Sequence, residues 1–312
     1  MRLLMSATFR PSVHKIATLA GHRDAVYGLT GGAGATLYSA SADGMVVAWN
    51  AAAPEQDGEL LARVQNSVYA LRHLPAQRWL VLGHNFQGLQ AIDLAQNQLA
   101  WATALPPVAI FEIVYSESRQ RLYVGLGDGT LAVLAGPDFR VEKLLRLATK
   151  SLRTLALHEA RQELAVGSSD HLTRILDLDT LEVKYTLGES TNSVFSLAYS
   201  PDGQRLLTAG RDARIRQWDV AAGYELTLVV PAHMYTINHL AFSPDGRYLA
   251  SCSLDKSIKL WDGGSLELLR VLDKARHAGH GTSVNRLVWP GAENRLVSCS
   301  DDRSLAVWEL EK

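Results

Sequence analysis

The chain repeats itself seven times, and no other feature restricts its fold as strongly. Val26, Val68, Ile110, Leu152, Val194, Ile237 and Val284 sit in matching local contexts, at successive separations of 42, 42, 42, 42, 43 and 47 residues. Three positions after each comes another aliphatic residue: Leu29, Leu71, Ile113, Leu155, Leu197, Leu240 and Leu287. A third column is leucine in every unit: Leu37, Leu80, Leu122, Leu164, Leu206, Leu249 and Leu296. Three residues further on the side chain is always small: Ala40, Gly83, Gly125, Gly167, Ala209, Cys252 and Cys299. A period of this length marks an array of small units, each of which needs its neighbours to bury an apolar face.

Inside each unit the apolar period is near two, and Gly, Asp, Asn and Pro punctuate it often. That is the pattern of short strands joined by tight turns. The stretches SPDG at 200–203 and 243–246 suit turns with Pro early and Gly at a positive φ. No segment carries convincing helical periodicity. Four short strands in each unit predict an all-β chain, a single seven-bladed β-propeller with four antiparallel strands per blade. The small column fits this geometry, because large side chains would hold adjacent blades apart where they converge on the axis.

Several units carry further marks. Trp218-Asp219 and Trp261-Asp262 close two of them, and Gly21-His22 and Gly279-His280 open two others. Asp stands six positions before the closing residue in six units (Asp43, Asp128, Asp170, Asp212, Asp255, Asp302), and Phe86 takes its place in the second. The closing residues are Trp49, Ile92, Leu134, Leu176, Trp218, Trp261 and Trp308. With these residues the sequence resembles the WD-repeat family over residues 14–312, leaving 1–13 as an expected poorly ordered extension. The resemblance implies a ring closed by the N-terminal strand: Lys15 to Leu19 would complete a last blade that otherwise stops at Trp308-Glu309-Leu310.

The resemblance also implies a buried relay from Asp to His to Ser or Thr to the Trp indole. Three units hold all four members: His22, Ser39, Asp43 and Trp49; His233, Ser251, Asp255 and Trp261; His280, Ser298, Asp302 and Trp308. The fifth keeps Thr208, Asp212 and Trp218, with Ser190 where His would be. Units two, three and four lack both Trp and His. An indole N–H and a carboxylate are costly to bury unpaired, so these residues are assigned to structure rather than catalysis. His277 and His280 lack the further ligands that a metal site needs. The complete relays fall in units one, six and seven, which become neighbours only when the ring closes.

The residue after each first aliphatic should point to the channel rim on one face. This set is Tyr27, Tyr69, Phe111, Arg153, Phe195, Asn238 and Asn285. Aromatic and Arg side chains are enriched at binding hot spots, and the resemblance implies that such a ring docks peptides. The competing reading is that the aromatics touch one another and plug the channel mouth. The stretch Asp273 to Gly279, an insertion in the seventh unit, should lie on the same face. Glu112 and His239, one position deeper, are read as standing alone.

Composition narrows the function. With 31 basic and 32 acidic residues the net charge is -1, which disfavours nucleic-acid or membrane-surface binding; a local patch at Lys150, Arg153 and Arg211 is the one feature favouring RNA. No apolar run reaches membrane-spanning length, the N-terminal stretch lacks a long apolar segment, and two cysteines make no disulfide framework. The expectation is a cytoplasmic, non-enzymatic scaffold that binds a protein or peptide on one face, with no cofactor and no metal. The alternative is a propeller hydrolase or lyase at the channel mouth, but the rim set contains neither carboxylate nor His.

Overall fold

A computed structural model describes residues 10–291 and 294–311 of the chain. The seven units form seven four-stranded antiparallel sheets arranged in a ring. In every blade the innermost strand starts at the first aliphatic column: Val26–Gly31, Val68–Leu74, Ile110–Ser116, Leu152–His158, Val194–Tyr199, Ile237–Phe242 and Val284–Val288. Each of these packs against the innermost strands of both neighbours, the first against the seventh included.

The buried apolar residues fall into seven clusters, one at each blade-to-blade interface, so the core is a ring of seven seams rather than one centre. The seam between blades one and two joins Tyr38, Ala40 and Val46 to Val68, Leu71 and Leu82. The seam that closes the ring joins Leu305 and Val307 to Val26 and Leu29. The small column is what lets the blades approach. A Cβ on Gly83 would stand 2.6 Å from Ile110 Cγ2 of the next blade, and one on Gly167 would stand 2.9 Å from Val194 Cγ1. Cys252 and Cys299 occupy the same column as fully buried free thiols.

The seventh blade contributes Val284–Val288, Arg295–Ser300 and Ser304–Glu311, and its outermost strand is Ser12–Ala20 from the other end of the chain. This strand is longer than the Lys15–Leu19 expected, because Ser12, Val13 and His14 pair with Glu311, Leu310 and Glu309. Of the expected extension 1–13, residues 1–9 lie outside the described residues. Strand order explains which segments share a face. Loops from an outermost strand to the next innermost strand, and turns between the second and third strands, all emerge at the end where the innermost strands begin.

Both SPDG turns carry Gly at positive φ, +70° at Gly203 and +71° at Gly246. The expectation of no helix needs two small corrections, the first a 3-10 turn at Glu159–Arg161. The insertion at 273–279 contains a single helical turn, Lys274–His277, whose N-cap Asp273 accepts a hydrogen bond from Arg276 N at 2.8 Å. One turn is too short to leave a periodic signal. Among the described residues no helix is long and apolar enough to cross a membrane.

Candidate functional site

The rim residues owe their positions to a backbone irregularity repeated seven times. The ladder between the first and second strands of every blade slips by one residue after the first aliphatic: between Val26 and Gly28, Ile110 and Glu112, Leu152 and Thr154, at the matching places in three others, and between Val68 and Leu71 in the second blade. The extra residue of such a bulge is released from regular pairing, which re-aims its side chain. Here the released residues are Tyr27, Tyr69, Phe111, Arg153, Phe195, Asn238 and Asn285. All seven are half-buried, and together they line one cavity of about 520 Å³ at the channel mouth.

Five of the seven form a continuous arc. Tyr27 meets Tyr69 edge-on at 4.9 Å, and Tyr69 stacks on Phe111 at 5.7 Å with nearly parallel planes. The Arg153 guanidinium lies 4.0 Å from the Phe111 ring centre and 5.2 Å from that of Phe195. Its Nε donates to Ser169 Oγ at 3.1 Å. The rings therefore touch one another, as the plugging alternative expects, yet they also wall an open cavity.

Asn238 and Asn285 are differently engaged. Asn238 Nδ2 donates to Val284 O at 2.8 Å and Ser283 Oγ at 3.0 Å in the seventh blade. Asn285 Nδ2 donates to Val26 O at 2.9 Å in the first blade and to Asp301 Oδ1 at 2.8 Å. Each side chain clips one inner strand to the next, Asn238 between the sixth and seventh blades and Asn285 across the closing seam.

One position deeper the cavity is floored by Glu112, His239 and Arg286. Glu112 does not stand alone: Arg286 donates to its Oε1 at 2.6 Å and also to Oε2. This ion pair was missed because its partners are 174 residues apart and no local spacing relates them. His239 does lack a protein partner at Nδ1. Burial and the neighbouring Arg286 charge hold its pKa well below the ordinary histidine value, so the ring is neutral.

The same face exposes apolar side chains outside the cavity. Met234 is 81% exposed and Tyr235 59%, in the loop before the sixth inner strand, and Leu254 is 49% exposed in the turn beside them. Phe86 is 57% exposed with φ +68°, a left-handed conformation that a bulky residue rarely adopts. Strain of this kind persists only where surrounding structure enforces it.

The residues of the three full relays come together, as complete hydrogen-bonded chains in the sixth and seventh blades. Trp261 Nε1 donates to Ser251 Oγ at 2.9 Å, Ser251 Oγ lies 2.8 Å from His233 Nε2, and His233 Nδ1 lies 2.8 Å from Asp255 Oδ2. The seventh blade repeats this with Trp308, Ser298, His280 and Asp302 at 2.9, 2.8 and 2.9 Å. In the first blade Trp49, Ser39 and His22 are linked at 2.8 and 2.7 Å, while His22 Nδ1 stands 3.4 Å from Asp43. A carboxylate only accepts, so Nδ1 is the donor and Nε2 accepts from the hydroxyl, which in turn accepts from the indole. Burial lowers the pKa of His22 and His233 despite their carboxylates. Burial opposes ionisation of Asp255, yet the His233, Ser257 and Met234 hydrogen bonds hold its pKa far below the usual range.

Blades four and five use a different solution. Arg174 binds Asp170 at 2.7 Å and Arg216 binds Asp212 at 2.8 Å, each Arg four residues after its Asp. The cation occupies the role that His fills elsewhere, and in the fifth blade Trp218 still donates to Thr208 at 3.1 Å. The interface of blades four and five holds another buried carboxylate that the repeat pattern does not mark. Glu163 accepts from Lys184 at 2.6 Å, Arg161 at 3.0 Å and Tyr224 at 2.6 Å. Where units two to four lack the Ser–Trp pair, both positions are apolar and buried: Leu82 with Ile92, Val124 with Leu134, Val166 with Leu176. Replacing both partners together avoids stranding either. His277 and His280 gather no further ligands, and among the described residues no cluster of three or more His, Cys, Asp or Glu could hold a metal.

Comparison with known families places the chain. The family described as WD domain, G-beta repeat matches residues 14–50, 181–219, 224–262 and 268–309, together just over half of the sequence. These segments hold Trp49, Trp218, Trp261 and Trp308, so the match follows the units that end in tryptophan. No curated protein matches the chain. The four matched repeats, set in a ring of seven four-stranded blades, make this chain a member of the WD-repeat family of β-propellers, which generally serve as protein-interaction scaffolds.

Proposed function

We propose that this propeller is a non-enzymatic, cytoplasmic scaffold that docks a protein or peptide on the face carrying the seven bulges. The observation that supports this most is the arc Tyr27, Tyr69, Phe111, Arg153 and Phe195, held half-exposed around a single cavity. Large rigid rings and a stacked guanidinium bury much surface at small entropic cost, which is why such residues dominate binding hot spots. Exposed Met234, Tyr235, Leu254 and Phe86 extend the apolar surface beyond the cavity, and apolar patches of this kind mark interaction sites. The relay His and Asp residues do not line the cavity, in keeping with a structural role.

The test pairs thermal melting with capture from a lysate of the native host. Tyr69→Ala and Phe195→Ala should weaken capture by about 1–3 kcal/mol each, and Arg153→Glu should abolish it by charge reversal, with melting close to wild type. If the rings only plug the channel, the aromatic variants lose stability while capture is untouched.

A further inference from the structure

The cavity is electrically lopsided. Its lining holds two guanidiniums, Arg153 and Arg286, and one carboxylate, Glu112. Arg286 is neutralised by Glu112, which leaves Arg153 as the uncompensated charge. Arg72, further down the channel, lies within electrostatic reach of the same pair, and its buried Nε has no partner. The buried group thus contains more cations than anions, and arginine does not shed its charge at neutral pH.

Arg153 is also held in a conformation that presents one edge. Phe111 and Phe195 cover the guanidinium, Ser169 accepts from Nε, and among the described residues neither terminal nitrogen has a hydrogen-bond partner. Those two nitrogens form the flat fork that matches a carboxylate with two parallel hydrogen bonds. His239 adds a buried ring nitrogen without a partner in the floor of the same cavity.

The surrounding loops carry charge of both signs. The loops and turns of this face expose Arg23, Lys150, Arg211, Lys256, Lys274 and Arg303, none in an ion pair among the described residues. Against them stand three exposed carboxylates, Asp24, Glu189 and Asp301, and three relay carboxylates, Asp43, Asp255 and Asp302, that pair with histidines rather than with Lys or Arg. Asp301 is bonded to Asn285, and Asp24 and Asp301 both act on Tyr27, on the side of the ring away from Arg153.

We propose that the cavity seats an acidic side chain of the docked peptide, its carboxylate paired with the free edge of Arg153 and its stem between the aromatic rings. This rests on the docking reading above and adds the chemistry of the group that enters. One free guanidinium balances a single negative charge, whereas a phosphate dianion calls for a cluster of arginines and would face Glu112 across the floor. Asp24 and Asp301 repel the acid from the first-blade side, so it lies towards blades three to five.

The test uses blocked heptapeptide pools, degenerate except at the centre, which is fixed as Glu, Gln, Lys or phosphoserine. Wild type should retain the Glu pool about tenfold better than the Gln pool, with the Lys pool weakest. Arg153→Gln should erase the preference for Glu, and Tyr69→Ala should weaken retention of Glu and Gln pools alike. Equal retention of Glu, Gln and Lys pools would overturn the acidic assignment and leave docking intact. No retention of any pool would overturn both. A preference for phosphoserine over Glu would replace the carboxylate by a phosphate. A second measurement avoids dependence on the Gln variant folding. The Arg153 Nε–H resonance, identified by its loss in Arg153→Lys, should shift on titration with N-acetylglutamate amide and not with N-acetylglutamine amide; an unmoved resonance sinks the proposal.

Discussion

Arg286 of the seventh blade crosses the mouth of the channel to bind Glu112 of the third, at 2.6 Å to Oε1. A ring of separate blades is held mainly at its seams, so a tie between blades that share no seam braces the ring across its diameter. It also fixes the floor beneath the rim arc, since Arg286 Nη1 reaches the Tyr69 carbonyl at 3.5 Å.

Breaking this pair from one side should be costly, because it leaves a largely buried guanidinium with no counter-charge. Glu112→Gln is expected to lose about 3 kcal/mol, measured by denaturant unfolding. Glu112→Leu combined with Arg286→Met removes both charges and should lose less than Glu112→Gln alone. If the double variant is the less stable one, the pair supplies net stabilisation beyond mutual compensation.

The six aspartates at equivalent turn positions should not be equal. Asp255→Ala and Asp302→Ala each strand a relay imidazole and should cost about 1.5–3 kcal/mol. Asp212→Ala should fall in or above that range, since it strands Arg216, which is 3% exposed. Asp128→Ala should cost under about 1 kcal/mol, because its ion-pair partner Arg146 is on the surface. Urea midpoints rank the four, and equal losses would contradict the assignment of partners.

The repeat columns made the fold legible because each reports a local requirement repeated seven times: an inner strand, a seam, a close approach between blades. The convergence of the rim set was legible for the same reason, as every one of its members follows a first aliphatic. What was hidden is pairing between distant units. Nothing near Glu112 announces Arg286, and Glu163 gives no sign that Tyr224 will be its neighbour. Asp170 with Arg174 and Asp212 with Arg216 were readable in principle, since an Arg four residues after the turn Asp occurs in two of the three units that keep Asp without His. The seven bulges leave no residue-type signature, because Tyr, Phe, Arg and Asn all occupy them.

Ring closure should depend on Ser12–Ala20. Deleting residues 1–20 removes the outermost strand of the seventh blade, exposes the edge of Ser304–Glu311, and uncovers Leu310 and the two seams that Val13 and Leu19 help to fill. An open edge of this kind pairs with other chains. The expected result is aggregation or a large fall in melting temperature, followed by light scattering and calorimetry. A truncated chain that stays monomeric and melts like wild type would mean that the seventh blade is stable with three strands.

Acid should weaken the fold before any carboxylate titrates. His239 is held neutral by burial and by Arg286, and burial lowers His22 and His233 in the same direction. With the folded-state pKa depressed, the unfolded chain takes up protons first as the pH falls through about 6.5, the ordinary histidine value. Stability that is complete above that point is then lost as the pH falls towards the folded-state values, by up to about 1.4 kcal/mol per pH unit for each such histidine. Melting temperature should therefore decline from about pH 7 to about pH 5.5. His239→Gln removes one contributor and should flatten the decline, whatever its effect on stability at neutral pH. Parallel melting curves for wild type and His239→Gln across this range would show that His239 is protonated as readily in the folded chain as in the unfolded one, and the neutral, unpartnered ring in the cavity floor would have to be abandoned.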